Sequence, residues 1–370
     1  MIKEGHVGYR EALALTVVVV TAKIFTVFPQ YLIRETGNAA WLEVLISTGL
    51  SVLAFFPIAA LLARFPGKTS IEIVEEVLGP AIGLPANLLG IAFYLFLLGI
   101  LLREFTEIVA STVLPFTPVS VITMTLLLAV GYGAYSGLET LSRAAWLLGP
   151  WLLAGMIAVF LISLRWAKLT NLLPLWGAEP TSLLASAAWR TSLFADVVIL
   201  PIIAPYLRER KRFTRMGIWS IAISGVVLAL SAFVYQMVFP EPASKRVLFP
   251  LYQLARLMYL GRFFQRAESL FIFVWVISWA AKLAIILQGV ALAQAVALKL
   301  PVYKPLIFPL LVLSFAIAFI PADLPAAVRI EGDFLRRYAA IPTFGLLMVV
   351  YVVALIRGKG GQAHGQGKKS

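Results

Sequence analysis

Apolar runs of about twenty residues recur along almost the whole chain, and no other feature limits so strongly what it can fold into. A hydrocarbon core about 30 Å thick is crossed by roughly 20 residues of α-helix. Inside lipid every backbone polar group needs an internal partner, which a helix supplies within its own segment. Runs bounded by Pro, Gly and charge predict helices 1 to 5 at about 11–33, 40–63, 84–112, 118–136 and 141–164, and helices 6 to 10 at about 183–206, 214–238, 268–297, 304–321 and 337–357. The expected architecture is an all-α membrane protein of about ten transmembrane helices, one domain over 1–357. Composition agrees: 61% of residues are hydrophobic and 13% charged, where soluble domains carry about a quarter charged.

The net charge of +13 resides in short clusters between apolar runs. No basic face alternates with exposed aromatics, so nucleic acid is not expected as a partner. Topology accounts for the charge better. With the N-terminus in the cytoplasm, the segments on the side of the termini hold the excess of Lys and Arg, which favours both termini inside. Arg208, Arg210, Lys211, Arg212 and Arg215 form the firmest anchor, or else a docking site for an acidic partner. The absence of cysteine excludes disulfides, thiolate metal sites and cysteine nucleophiles, and His6 and His364 lie in the tails, so no metal or other cofactor is expected. The first apolar run is too long for a signal-peptide core and lacks a cleavage site; it reads as a retained helix with no soluble domain on either side. The Gly-, Lys- and Gln-rich stretch 358–370 reads as a disordered tail.

Two connections carry structure of their own. Thr69 to Leu78 opens on a capping box, Thr69 with Glu72, and stops at Gly79-Pro80, which predicts a short interfacial helix. Lys245 to Arg262 alternates Leu248, Leu251, Tyr252, Ala255, Met258 and Tyr259 with Gln253 and Arg256, which predicts an amphipathic helix on the membrane or over a vestibule.

Proline interrupts two helices in matching positions of the two halves: helix 1 at Pro29, helix 6 at Pro201 and Pro205. Each proline disrupts the bond to the carbonyl four residues back, here those of Phe25, Val197 and Pro201. Paired broken helices point to a midplane binding site, although simple kinks would give the same pattern. Ionisable residues inside the spans strengthen the first reading, because such groups face protein or water. Lys23 shares a helical face with Thr16, Thr26 and Gln30. It and Asp196 fall at similar depth, so an ion pair or a shared polar ligand is feasible; a purely structural salt bridge is the alternative. Lys282 continues a polar stripe with Ser278 and Trp275, and is a candidate to exchange a proton with binding or to stand as a fixed charge where a related transporter holds sodium. Arg103, Glu104 and Glu107 lie near the outer end of helix 3, with Arg103 and Glu107 spaced to pair; Arg103 and Glu107 are candidates for ion coupling, with snorkelling of the three to the headgroups as the alternative. Glu43 and Arg190, near helix ends, read as orientation anchors. No nucleotide loop, nucleophile with base, or metal cluster appears, so no enzyme is expected.

The chain resembles a known family. Phe249-Pro250-Leu251 through Arg262, Arg266-Ala267-Glu268-Ser269-Leu270 and Val274-Trp275-Val276-Ile277 look like the signature that precedes and opens helix 8 in spore germination permeases. Thr26-Val27-Phe28-Pro29, Arg103 with Glu107 before Leu114-Pro115-Phe116-Thr117-Pro118, Asn171-Leu172-Leu173-Pro174, and Pro205 before the basic run also match. These permeases are the B subunits of nutrient germinant receptors, within the amino acid-polyamine-organocation superfamily. The resemblance implies a five-plus-five inverted repeat of the leucine-transporter type with broken helices 1 and 6, repeat one over about 11–164 and repeat two over about 183–357. It also implies residence in the inner membrane of a bacterial endospore, A and C subunits as partners, and a small nutrient germinant, such as an amino acid, as ligand.

Carried over by position, Ala22, Lys23, Ile24, Phe25 and Thr26 with Phe194, Ala195, Asp196, Val197 and Val198 would line the ligand pocket, alongside Trp275 and Ser278. Lys282, Asp196, Arg103 and Glu107 would serve ion or proton coupling. The chain departs from the family where glycine is usual in helix 1: Ala22, Lys23 and Ile24 stand there, and Lys23 is placed to pair with a ligand carboxylate. Asp196 has no firm counterpart at the family's acidic position. The expected function is germinant sensing; a proton-coupled amino acid transporter and a structural assembly subunit are the alternatives.

Overall fold

The computed structural model describes residues 5–177, 180–247, 249–257 and 267–360. Among them the regular structure is helical, with one parallel bridge, Val7 to Leu207, tying the N-terminal segment to the chain after helix 6. Helix 1 is broken: Tyr9–Thr21, a 3₁₀ turn Ala22–Phe25, then Phe28–Thr36. Helices 2 to 5 are Ala40–Arg64, Pro80–Thr112, Val119–Ser136 and Leu138–Ser163. Helix 6 is Pro180–Trp189, a 3₁₀ stretch Arg190–Val198, and Ile199–Ile203. Helices 7 to 9 are Phe213–Val238, Ala267–Ala297 and Lys304–Ala318.

Among the described residues eight helical stretches are long and apolar enough to cross a membrane. Helix 9 is shorter, at 15 residues, and helix 1 is divided into halves of 13 and 9 residues, which accounts for the ten segments expected from hydropathy. Helices 2 and 7 approach closely because helix 7 has glycine at the crossing: a Cβ at Gly217 would run into the Phe55 ring, and one at Gly225 into Thr48.

The short helix Ser70–Leu78 has the expected reciprocal cap. Thr69 Oγ1 accepts from the Glu72 N–H at 3.2 Å, and a Glu72 carboxylate oxygen accepts from the Thr69 N–H at 2.8 Å. It ends at Gly79, whose φ of 85° suits glycine. Its last carbonyls, at Glu76 and Val77, accept from Lys359 (2.5 Å) and Arg357 (2.8 Å) past the end of helix 10, an arrangement the helix dipole favours.

Helix 10 starts well before the expected residue 337. Asp323 caps it by accepting from the Ala326 N–H at 2.8 Å, and it runs through Leu324–Arg329, a wider π stretch Ile330–Leu335, Arg336–Tyr338, a second π stretch Ile341–Gly345, and Leu346–Ile356. The charges of Arg329, Glu331, Asp333, Arg336 and Arg337 give this stretch the hydropathy of a loop. The fold instead turns Glu331 and Arg336 inward as an ion pair.

Within the expected amphipathic segment 245–262, Pro250–Arg256 is helical, with Leu251, Leu254 and Ala255 buried against the bundle; Leu248, Met258, Tyr259 and Arg262 lie outside the described residues. The Lys245 carbonyl accepts from Gln30 at 3.0 Å and Arg34 at 3.1 Å, so this connection covers the far end of helix 1. The expected disordered tail lies, from residue 361 on, outside the described residues.

Candidate functional site

The two broken helices meet. After Thr21 the chain tightens into the 3₁₀ turn, Thr26 is extended (φ −102°, ψ −159°), and the helix restarts with Pro29 in its first turn, where a missing N–H costs nothing. Thr26 closes the break by donating to the Lys23 carbonyl from both its N–H (3.1 Å) and its Oγ1 (2.9 Å). In helix 6 the 3₁₀ stretch extends over nine residues, although such runs rarely exceed three or four because their hydrogen bonds are poorer. Other helices compensate. The Leu193 carbonyl accepts from Lys23 Nζ at 2.5 Å, and the Ala195 carbonyl accepts from the Tyr94 hydroxyl at 3.0 Å and the Thr343 hydroxyl at 3.4 Å. These acceptors lie N-terminal to Val197 and Pro201, where proline geometry alone put them, because the irregular stretch starts at Arg190.

Lys23 Nζ stands 2.5 Å from Asp196 Oδ2, and Lys282 Nζ approaches the same oxygen at 3.6 Å. All three side chains are buried. Around them lie groups from helices 3 and 10. Arg336 pairs with Glu331 and reaches to 3.5 Å from Thr26 Oγ1. Glu104 is fully buried beside the Val27 backbone, and the charges of Glu331, Arg336 and Lys282 act on it. Among the described residues the cluster thus gathers three basic side chains (Lys23, Lys282, Arg336) and three acidic ones (Glu104, Asp196, Glu331). Opposed partners are what allow buried charges to persist, since an unpaired one is costly.

Glu331 and Arg336 do not stand out in the sequence, and Glu104 reads there only as one of three charges near the outer end of helix 3. For Glu104 a signal existed: it interrupts the line Leu97, Leu101, Ile108, all buried at helical spacing. Glu331 and Arg336 were masked by the loop-like composition around them.

Other expected residues are distributed differently. Arg103 and Glu107 do pair, at 2.7 Å, but Arg103 also donates to the Ala322 carbonyl at 3.1 Å and lies over the Phe319 ring, which ties the pair to the connection between helices 9 and 10 and not to Asp196. Trp275 packs edge-on to Phe105 at 5.0 Å, and the Ser278 hydroxyl donates to its own helix at Val274. Ala22, Ile24, Phe25, Thr26, Phe194, Ala195 and Val197 are core residues around the ion pair. Glu43 and Arg190, expected as anchors at helix ends, are instead buried partners. Arg190 holds Glu35 and, at 3.2 Å, Glu43, which also accepts from Thr36 (2.9 Å) and Ser186. With Tyr31 donating to Asp333 at 2.5 Å, these contacts close the bundle at the end far from the chain termini.

Toward the termini a narrow cavity of about 70 Å³, open at its mouth, runs from Asp196 and Val198 between helices 1, 3, 6, 8 and 10 to the short helix Ser70–Leu78. Its walls are mainly Ile, Val and Leu, with Tyr94, Asn87 and Ser70 as the other polar contributors. Of the residues expected to line a pocket, Asp196 and Val198 line this cavity. Among the described residues no group of three or more His, Cys, Asp or Glu is arranged to hold a metal ion.

The bundle is similar to solved transporters. MhsT, crystallised with L-phenylalanine, aligns with a TM-score of 0.71 at 16% identity, over 96% of this chain and 90% of that one. Mhp1, a nucleobase-cation-symport-1 family transporter in a closed conformation with bromovinylhydantoin bound, gives 0.67 at 15% identity, over 96% and 79%. The fold is therefore the five-plus-five one of the leucine-transporter type. Spore germination protein KB of Bacillus subtilis (strain 168) is 26% identical over 267 residues, covering 71% of this chain and 72% of KB. YndE of the same organism is 25% identical over 276 residues, 73% and 75% of the two chains. With residues 7–326 matching the model of the spore germination protein family, this multi-pass membrane protein belongs to that family.

Proposed function

We propose that this chain is the membrane-embedded sensing subunit of a nutrient germinant receptor, in the inner membrane of an endospore with both termini on the core side. It binds a small nutrient beside Asp196, where helices 1 and 6 are broken, and acts together with A and C subunits. The observation that carries this reading is the cavity that ends on Asp196 while the opposite end of the bundle is clamped by Arg190, Glu35, Glu43, Tyr31 and Asp333. A solute that fits the cavity in one arrangement of the helices and not in another shifts the bundle between them by its difference in affinity. The residues around the ion pair, Ala22 to Thr26 and Phe194 to Val198, are the segments that would move.

A thermal-shift screen of the purified protein against amino acids, sugars and nucleosides tests this. A ligand at a hundred times its Kd stabilises the folded state by about 2.7 kcal/mol, so a hit is readily seen; no hit in any class counts against sensing. One-sided access within a transporter fold also favours a second reading, a working proton-coupled transporter with Asp196 or Lys282 exchanging the proton. Sustained, saturable uptake into proteoliposomes under a pH gradient would establish transport, whereas binding without accumulation supports sensing. A purely structural subunit requires that Lys23→Met, Asp196→Asn and Lys282→Met leave germination intact.

A further inference from the structure

We infer that the solute recognised at this cavity is uncharged, an apolar body with one hydrogen-bonding head, and not a zwitterionic amino acid. The inference rests on the reading of the cavity as the ligand site. Among the described residues Asp196 is the one ionisable carboxylate on the cavity wall, and neither Lys23 nor Lys282 lines it. Asp196 therefore stands between the cavity and both ammonium groups.

Its charge is already committed. Both lysines approach Oδ2, at 2.5 and 3.6 Å, and Oδ1 is the oxygen assigned here to accept from a solute. A solute carboxylate in the cavity would face this carboxylate before it met any cation. A solute ammonium would be a third cation around one anion that two already balance. The irregular backbone is partly committed as well, since the carbonyls of Lys23, Leu193 and Ala195 accept from Thr26, Lys23 and Tyr94. The remaining wall is largely aliphatic, and an ionised group held there without a partner is strongly disfavoured against water. A hydroxyl or primary amide meets none of these penalties: it donates to Oδ1, and its hydrocarbon part gains from burial among Ile199, Ile202, Ile286 and Leu347. Lys23 and Asp196, in this view, supply internally the pair of charges that a zwitterion would bring.

The test uses the full chain in detergent and a series with one branched skeleton: 3-methylbutan-1-ol and 4-methylpentanamide (neutral), 3-methylbutylamine (cation), 4-methylpentanoate (anion) and leucine (zwitterion). Binding is read by concentration-dependent thermal shift. The neutral pair should bind at least tenfold more tightly than the three charged members. Gly289→Leu, and separately Val290→Phe, both on the cavity wall, should abolish the neutral signal; a signal that survives both is micelle partitioning and counts as no binding. Leucine binding tightest, or all five binding equally, in a manner lost in the wall variants, would overturn the neutral class while leaving the site in place. No wall-sensitive binding by any of the five would remove the site and the inference together.

Discussion

Removing one charge from the buried cluster should cost an amount set by how many opposite charges that group balances, so Asp196→Asn should destabilise more than Lys23→Met. Asp196 serves two ammonium groups, at 2.5 and 3.6 Å. Its neutralisation leaves both buried without a close anion, and breaking a buried pair from one side costs about 3–5 kcal/mol. Lys23→Met removes the shorter contact and the bond to the Leu193 carbonyl, but Asp196 keeps Lys282 at hand; with an unpaired buried acceptor worth about 1–3 kcal/mol, about 2–3 kcal/mol is expected. The double variant leaves only Lys282 uncompensated, with Glu104 nearby, and should cost about 2–3 kcal/mol where simple addition gives about 5–8 kcal/mol. Unfolding titrations in mixed micelles, run as a double-mutant cycle, measure all three. An Asp196→Asn cost no greater than that of Lys23→Met, or additive costs, would refute the shared-anion account of the cluster.

Further consequences follow from the packing. Gly217→Leu should destabilise by about 1–3 kcal/mol, an overpacking cost, because its side chain would push into the Phe55 ring at the crossing of helices 2 and 7; the midpoint of the same unfolding titration reports it. Glu43→Ala should destabilise by about 2–5 kcal/mol in the same titration, since it leaves buried Arg190 with only the half-exposed Glu35 as ion partner, while Thr36 and Ser186 keep the Leu32 carbonyl and Glu35 as acceptors. Replacing both Arg357 and Lys359 by Ala should cost only about 0.6–2 kcal/mol, at about 0.3–1 kcal/mol for each cation at a helix C-terminus. It should also raise hydrogen exchange in Ser70–Leu78 specifically, and unchanged exchange there would show that those contacts do not hold the short helix.

Hydropathy is a local property of the chain, and so the residues that cross the membrane could be read in order, along with the breaks near Pro29 and Pro201 and the presence of Lys23, Asp196 and Lys282 inside spans. Bilayer thickness and the need to satisfy backbone groups act on each segment separately, without reference to its neighbours. Which charges meet is a different matter. A charged residue lowers the apparent hydropathy of its segment equally whether it will face lipid, water or an opposite charge. Glu331 and Arg336 therefore made the first half of helix 10 look like a loop, and Glu104 passed as one of three charges near a helix end. Only the three-dimensional packing sent Arg103 and Glu107 to the connection beyond helix 9 while turning Glu104 into the core. The same packing decided the polarity of the cavity: Asp196 reaches it while both lysines stand behind, because two 3₁₀ segments from distant parts of the chain bring Lys23 Nζ within 2.5 Å of both the Asp196 carboxylate and the Leu193 carbonyl. The buried charges are tolerated through pairing across helices, and that pairing exists only in the assembled bundle.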